Sequence, residues 1–330
     1  MKKSFQKTLI AASVGAVMLA AAGTASANSL LFPYFTTVAG AQSILSITAD
    51  GTTAAGISGS AFSVPGAGER LHYVYNYGDA CTHYDGSGFV TRNDVMQHSL
   101  ADPTYGGIGK VQSTDQSVPF YLPLQTAKGF LTVSNMTSTG SINGDLSIID
   151  PATGLVVSYP GISNGLNTTV AANEGNFAAI VDNNFELSHY PANLVTTSFY
   201  AAVVGNMNSA IAAGRDWVGQ TTLSNGGNIW SNDESGRSGT KTKVITCGGS
   251  FTANDLRTEA QNNWIANNAG LIRVTATPTD PLVDTTTETS TGLVVVKLQA
   301  VQAAVGAPYA GKTFFHRVPA ANVSNLVAPL

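Results

Sequence analysis

Apolar residues in this chain come in short runs that alternate with polar ones or break off at Gly, Asn, Ser and Pro, and few recur at helical spacing. Leu71-His72-Tyr73-Val74-Tyr75-Asn76-Tyr77 alternates with period two, which puts Leu71, Tyr73, Tyr75 and Tyr77 on one face of a strand. Ser43-Ile44-Leu45-Ser46-Ile47-Thr48 reads as a second strand, and further strands are expected over 129–136, 145–149, 154–159, 176–181, 195–204, 242–246, 270–277 and 292–299. Between two of these, Asp150-Pro151-Ala152-Thr153-Gly154 places Pro early and Gly late, as a tight antiparallel connection requires. Residues 50–69 are rich in Gly, Ser, Thr and Ala and read as a loop. Helical pattern is confined to short stretches near 93–100, 206–213 and 254–266. Many short strands joined by Gly-rich turns predict a mainly β, antiparallel β-sandwich-like fold with a few short helices. Regular ten-residue alternation and a terminal aromatic would mark an outer-membrane barrel; this chain ends Val327-Ala328-Pro329-Leu330.

The N-terminus is built differently. Lys2, Lys3 and Lys7 precede an apolar, Ala-rich run from Leu9 to Gly23, which closes on Thr24-Ala25-Ser26-Ala27. A basic start, a short apolar stretch and a small-x-small site are the parts of a cleavable secretory signal, so residues 1–27 are expected to be removed. The run is too short and too rich in Ala for a spanning helix, and no later run is long enough for one. The domain expectation is a β-rich exported body over 28–330, single or as two packed halves with a boundary near 160–240. Export to the extracellular space or cell surface follows, with the periplasm as the other destination.

Without the signal, 13 basic residues face 20 acidic ones, a net charge of −7. A sparse, acidic charge set argues against nucleic acid, whose phosphates call for clustered Lys and Arg. The two cysteines, Cys81 and Cys247, are an even pair in an oxidising compartment and are expected to form one disulfide. Neither has a Cys or His at zinc-motif spacing downstream.

Candidate chemistry is thin. Set against a calcium loop, His83 to Asp94 places Asp85 third, Ser87 fifth, Gly88 sixth, the Phe89 carbonyl seventh and Asp94 twelfth. His83 stands where the loop wants an acid, and imidazole suits a hard cation poorly, so the competing reading is a Gly-rich turn. Calcium is the one cofactor these residues suggest. The five histidines (His72, His83, His98, His189, His316) show no helical zinc spacing, and no nucleophile elbow, phosphate loop or dinucleotide fingerprint occurs. Asp233, Glu234 and Glu186 are acids near aromatics that a glycosidase would need in pairs, and Trp217, Trp230 and Trp264 are candidates for a sugar-stacking platform. Enzymatic activity is left open, with a non-catalytic role preferred.

Two further patterns bear on organisation. Cys81 and Cys247 are each followed by a Gly-Ser-rich stretch that ends in Thr-x-Asn-Asp-apolar, at Thr91–Val95 and Thr252–Leu256, which suggests a duplicated unit or two ordinary helix caps. Each Thr is expected to start a short helix. Leu30, Leu31, Phe32, Tyr34 and Phe35 make a strongly apolar start to the mature chain. They are read either as its first core strand or as a segment that completes a neighbouring subunit's sheet. The segments Leu30-Leu31-Phe32-Pro33-Tyr34-Phe35-Thr36, Ser43–Ile47 and Leu71–Asn76 resemble the opening of uncharacterised proteobacterial secreted and cell-surface proteins, over about residues 28–95. The resemblance implies location, not an activity. The functional expectation is an exported, non-catalytic structural protein of the cell surface, self-associating or bound to surface components. A secreted glycan- or ligand-binding module ranks second and a secreted hydrolase third. N-terminal sequencing of the protein from intact cells should begin at Asn28; a start at Met1 would remove the export signal.

Overall fold

The computed structural model describes residues 28–49, 68–91, 95–102, 108–112, 121–122, 127–136, 142–151, 155–165, 175–191, 195–208, 217–265, 268–279, 291–301 and 313–318. Strands dominate, and every pairing whose register is resolved is antiparallel. The chain divides into two compact units, the main break falling between Glu174 and Gly175.

The first unit is built from β1 (Ser29–Thr36), β2 (Gln42–Ala49), β3 (Gly68–Tyr77), β4 (Thr82–Thr91), β5 (Val95–Asp102), β6 (Ile108–Gln112), β7 (Tyr121–Leu122), β8 (Lys128–Asn135), β9 (Ile142–Asp150), β10 (Leu155–Pro160) and β11 (Ile162–Ser163). The end of β3 and start of β4 with the turn between them (Tyr75–Tyr84), and Lys128–Leu131 of β8, belong to the second unit. One sheet has the order β11-β1-β8-β3-β4 and the other β10-β9-β2-β5-β6-β7. Side chains from the two meet face to face. The Phe32 ring lies 6.3 Å from that of Tyr159, and the Tyr73 ring 4.1 Å from the imidazole of His98. The Tyr159 hydroxyl donates to the Tyr34 carbonyl and accepts from the Tyr34 N–H at 3.2 Å, so a tyrosine of β10 fixes the backbone of β1 across the interior. Alternation does the rest: Leu45 and Ile47 of β2, Met96 and Leu100 of β5, and Leu146 and Ile148 of β9 point inward and are buried.

The second unit adds β12 (Asn184–His189), β13 (Val195–Val204), β14 (Gln220–Ser224), β15 (Asn228–Ser231), β16 (Gly236–Ser238), β17 (Thr242–Thr246), β18 (Gly248–Phe251), a 3-10 turn (Ala253–Leu256), α1 (Glu259–Ile265), β19 (Gly270–Thr279), β20 (Gly292–Val301) and β21 (Thr313–Arg317). β14 and β15 lie end to end along β19, as Ser224 pairs with Thr275 and Ile229 with Ile272. β17 and β16 lie end to end beside them, and β12 covers the other edge of β19. The facing sheet runs β18-β13-β20-β21. Phe185, Leu187, Leu223, Ile229, Ile272 and Val274 from one sheet pack with Phe199, Ala201, Val203, Leu293 and Val295 from the other. This is a β-sandwich, the predicted fold class.

Three-residue breaks interrupt both end-to-end strands, at 225–227 and 239–241, and two buried amides fill them. The Asn225 Nδ2 donates to the Gly239 carbonyl at 2.8 Å, while its Oδ1 accepts from Gly227 N–H (3.1 Å) and Lys241 N–H (3.2 Å). The Gln261 Nε2 donates to the same Gly239 carbonyl (2.8 Å) and to that of Arg237 (3.1 Å). Its Oε1 accepts from Thr258 N–H at 2.9 Å, and its own N–H reaches Thr258 Oγ1 at 3.3 Å. Thr258-x-x-Gln261 is thus a capping box for α1 and a clamp on the broken strands at once.

Several expected elements are corrected. Residues 95–100 form part of β5 instead of a helix, and 176–181 form a turn instead of a strand. In β5 the buried positions alternate as Met96, His98, Leu100, and reading His98 as polar hides that period. At the turn, Asn176 Oδ1 accepts from Ala178 N–H at 3.2 Å, and this local bond competes with a ladder. Of the first Thr-x-Asn-Asp signal, 92–94 lie outside the described residues; the second starts a helical turn. There the Asp255 carboxylate accepts from Thr252 N–H at 2.7 Å, whereas Thr91 ends a strand that leads on to β5. The 50–69 loop falls outside the described residues up to Ala67, as do 209–213 of the expected helix near 206–213.

Gln261→Ala takes a donor from the part-buried carbonyls of Arg237 and Gly239 and the acceptor from the Thr258 N–H. It should lower unfolding free energy by roughly 2–4 kcal/mol in urea titration. The exposed neighbour Asn263→Ala should stay within about 0.5 kcal/mol.

Candidate functional site

The cysteines come together as predicted. Cys81, at the end of the β3–β4 turn, is bonded to Cys247, which joins β17 to β18; their Cα atoms are 5.3 Å apart and 166 positions separate them. Both are buried, and both adopt the left-handed conformation, with φ of 55° and 64°. Around Cys247 the backbone is fully engaged: its N–H donates to Gly219 O and its carbonyl accepts from Val203 N–H, each at 2.7 Å.

The described calcium-loop residues do not form a loop. Asp85, Ser87 and the Phe89 backbone lie along the extended strand β4, and Asp94 lies outside the described residues. An extended chain spaces alternate residues by about 7 Å, which cannot wrap successive ligands around one ion. Asp85 Oδ1 instead sits 3.3 Å from His72 Nε2 on β3. Among the described residues no group of three or more His, Cys, Asp or Glu is placed to hold a metal.

Leu30, Leu31, Phe32 and Phe35 have no exposed surface and Tyr34 is half-buried. β1 is an inner strand, with β11 on one edge and β8 on the other. β8 lies along one of its edges and β11 pairs with Leu30 and Leu31 on the other, so these side chains belong to the core of their own unit.

The tryptophans do not share a surface. Trp217 is buried with its Nε1 on the Val203 carbonyl at 2.8 Å, and Trp264 packs against the core of the second unit. Trp230 lies under the Arg273 guanidinium at 4.8 Å, and Arg273 Nε donates to Glu186 Oε1 at 3.1 Å. Asp233 accepts from the Ser231 hydroxyl and, at 3.2 Å, from Ser235 N–H. Those bonds hold its carboxyl below the usual range and mark a polar turn.

A group that sequence reasoning missed sits at one end of the second unit. His189 closes β12 on its inward row with Phe185 and Leu187, and is 5% exposed. Arg257, just after the 3-10 turn, is 7% exposed; its Nη1 donates to His189 Nε2 at 2.9 Å and its Nη2 to Asn254 Oδ1. Lys297 of β20 reaches the neighbouring Ser188 hydroxyl at 2.9 Å. Neither Arg257 nor Lys297 has a carboxylate partner among the described residues. Burial draws the Arg257 guanidinium down to about 10 and lowers Lys297 as well. Burial, reinforced by the Arg257 charge, draws His189 down to about 4, so it is neutral and its Nε2 is an acceptor. Arg257 Nε and His189 Nδ1 are buried with no hydrogen-bond partner among the described residues. The period-two row Phe185-x-Leu187-x-His189 was the available signal for an inward histidine.

No known protein family, curated protein or solved structure matches this chain. Among the described residues, no helix is long and apolar enough to cross a membrane.

Burial draws His98 down to about 3 and His189 to about 4, below the ordinary 6.5. The unfolded chain therefore takes up protons first, and stability is full above about pH 6.5 and lost as pH falls toward 4. Between pH 7 and 5 each histidine should cost about 2 kcal/mol. His189→Gln, whose side-chain oxygen can still accept from Arg257, should flatten the urea-derived pH slope by that amount; an unchanged slope would count against the buried neutral ring.

Proposed function

We propose that this chain is an exported, non-catalytic structural protein of the cell surface or extracellular space that associates with copies of itself. The Cys81–Cys247 bond carries the reading, because such a cross-link persists where the surroundings are oxidising and not in a reducing cytosol. The signal-like N-terminus points the same way. The character of an exposed sheet supports self-association. The outer row of β14, β17 and β19 carries Gln220, Thr222, Thr242, Thr246, Thr275, Thr277 and Thr279. Its members bond sideways, Gln220 Nε2 to Thr246 Oγ1 at 3.0 Å and Thr279 Oγ1 to Gln220 Oε1 at 3.3 Å. A face of hydroxyls and amides with few charges lacks the mutual repulsion that keeps copies apart.

The test is made on material sheared from intact cells, sized by light scattering and viewed by negative-stain microscopy. Regular assemblies that contain the chain are the expected result. A monomer, or absence from the sheared fraction, would overturn the structural reading and turn attention to ligand binding.

A further inference from the structure

We infer that copies of this chain join head to tail through the two open edges of one sheet of the second unit, β17 of one copy pairing antiparallel with β12 of the next. The inference rests on the self-association proposed above and names the strands that carry it. The ladders fix which backbone groups are spare. Cys247 N–H donates to the Gly219 carbonyl at 2.7 Å and Asn225 N–H to the Lys241 carbonyl at 3.3 Å, so the odd-numbered residues of β17 face β14. At the other edge, Ala276 N–H donates to the Asn183 carbonyl at 2.7 Å, so the odd-numbered residues of β12 face β19. That leaves the N–H and C=O groups of Thr242, Val244 and Thr246 on one edge, and of Asn184, Glu186 and Ser188 on the other, without a partner among the described residues. Both edges reach the surface. Thr242, Asn184 and Ser188 are exposed, and Val244, at 56%, is the most exposed large apolar side chain among the described residues.

The two edges fit each other. A bare edge strand is a template for another strand, and pairing supplies the hydrogen bonds it lacks. The open residues of both strands carry their side chains on the outer face, since the alternate residues Ile245, Phe185 and Leu187 are buried in the core. Opposed residues of an antiparallel ladder share a face, so the junction sets outer face beside outer face and core row beside core row. One register engages every open residue: Thr242 opposite Ser188, Val244 opposite Glu186 and Thr246 opposite Asn184, with Ile245 opposite Phe185 beneath them. The strands of the order β17-β14-β19-β12 alternate in direction, so β17 and β12 of one copy run opposite ways. A shift of the next copy along the sheet therefore brings the two edges together antiparallel. Like-to-like pairing gathers like charges, which is destabilising. Two β12 strands in full overlap set Glu186 against Glu186. Two β17 strands bring together Lys241 and Lys243 of both copies; Asp255 answers Lys243 at 3.4 Å, but Lys241 has only the Asn254 carbonyl. Unlike pairing avoids both repulsions and brings an edge flanked by lysine to an edge that carries glutamate. It leaves one edge of each kind free at the ends, so it propagates beyond a dimer.

Blocking one edge at a time tests the pairing. The purified mature chain is sized by light scattering beside Val244→Pro and Glu186→Pro, each of which removes an N–H that the copy's own ladder does not use. The wild type should form species larger than a dimer, and each variant alone should be a monomer. An equimolar mixture of the two variants should stop at a dimer, because one intact β17 and one intact β12 remain. In the unaltered chain, the amides of Thr242, Val244, Thr246, Asn184, Glu186 and Ser188 should exchange at least about tenfold more slowly in assembled than in dilute, dissociated protein. That measurement decides the question even if a variant does not fold. A dimer formed by Glu186→Pro alone would identify β17–β17 pairing and overturn the head-to-tail contact. Undiminished assembly of both variants, or edge amides that exchange alike in the two states, would overturn it and leave self-association through another surface standing. A wild type that is monomeric at every concentration would also overturn it; regular assemblies in the sheared fraction would then keep the broader reading, and their absence would end both.

Discussion

The bond between Cys81 and Cys247 ties together two tight corners of the second unit that lie 166 residues apart in the chain. That unit recruits Tyr75–Tyr84 and Lys128–Leu131 from far upstream of its main body, which begins at Gly175. Non-local pairing of this kind must first meet the entropy of closing long loops. A cross-link over so long a span removes conformations from the unfolded chain worth about 5 kcal/mol in the loop-entropy account. The surrounding backbone fits the link: Gly129 passes so close to the Asn76 carbonyl that an added Cβ would lie 1.9 Å from it, and Gly248 lies against Phe130. The corner, the crossing strands and the bond form one arrangement that allows little substitution.

Polar groups inside the second unit fall into two kinds. Asn225 and Gln261 are fully buried and spend their donors and acceptors on backbone left open by the strand breaks. Those amides rigidify the sheet, as a satisfied interior network does. Arg257 and Lys297 are buried almost as deeply but bring positive charge without an answering negative one among the described residues. Structural economy explains the first group and not the second.

Much of the fold could be read from the residues. Val195–Val204 and Thr242–Thr246 form strands at the expected bounds, and Asp150 pairs with Leu155 across the predicted Pro-Gly turn. Val195–Val204 and Thr242–Thr246 announce themselves because β-branched and aromatic residues predominate in them and neither Gly nor Pro interrupts. β4 was hidden because Thr82–Thr91 carries two glycines and few large apolar residues, so a strand resembled a ligand loop. β12 was hidden because its inward row ends in a histidine. The disulfide followed from counting two cysteines and naming a compartment. The basic cluster could not be found that way, since His189, Arg257 and Lys297 meet only through the fold.

The left-handed backbone at both cysteines has an evolutionary and practical corollary. A side chain other than glycine resists φ near 60°, at a cost of roughly 1–2 kcal/mol, and at each corner the covalent bond helps to hold it there. Serine in place of either cysteine would keep the strain and lose the bond, whereas glycine would lose the bond and relax the corner. Lineages that drifted into a reducing compartment would be expected to carry glycine at both corners, and a thiol-free form made for chemical labelling is best designed as the double glycine.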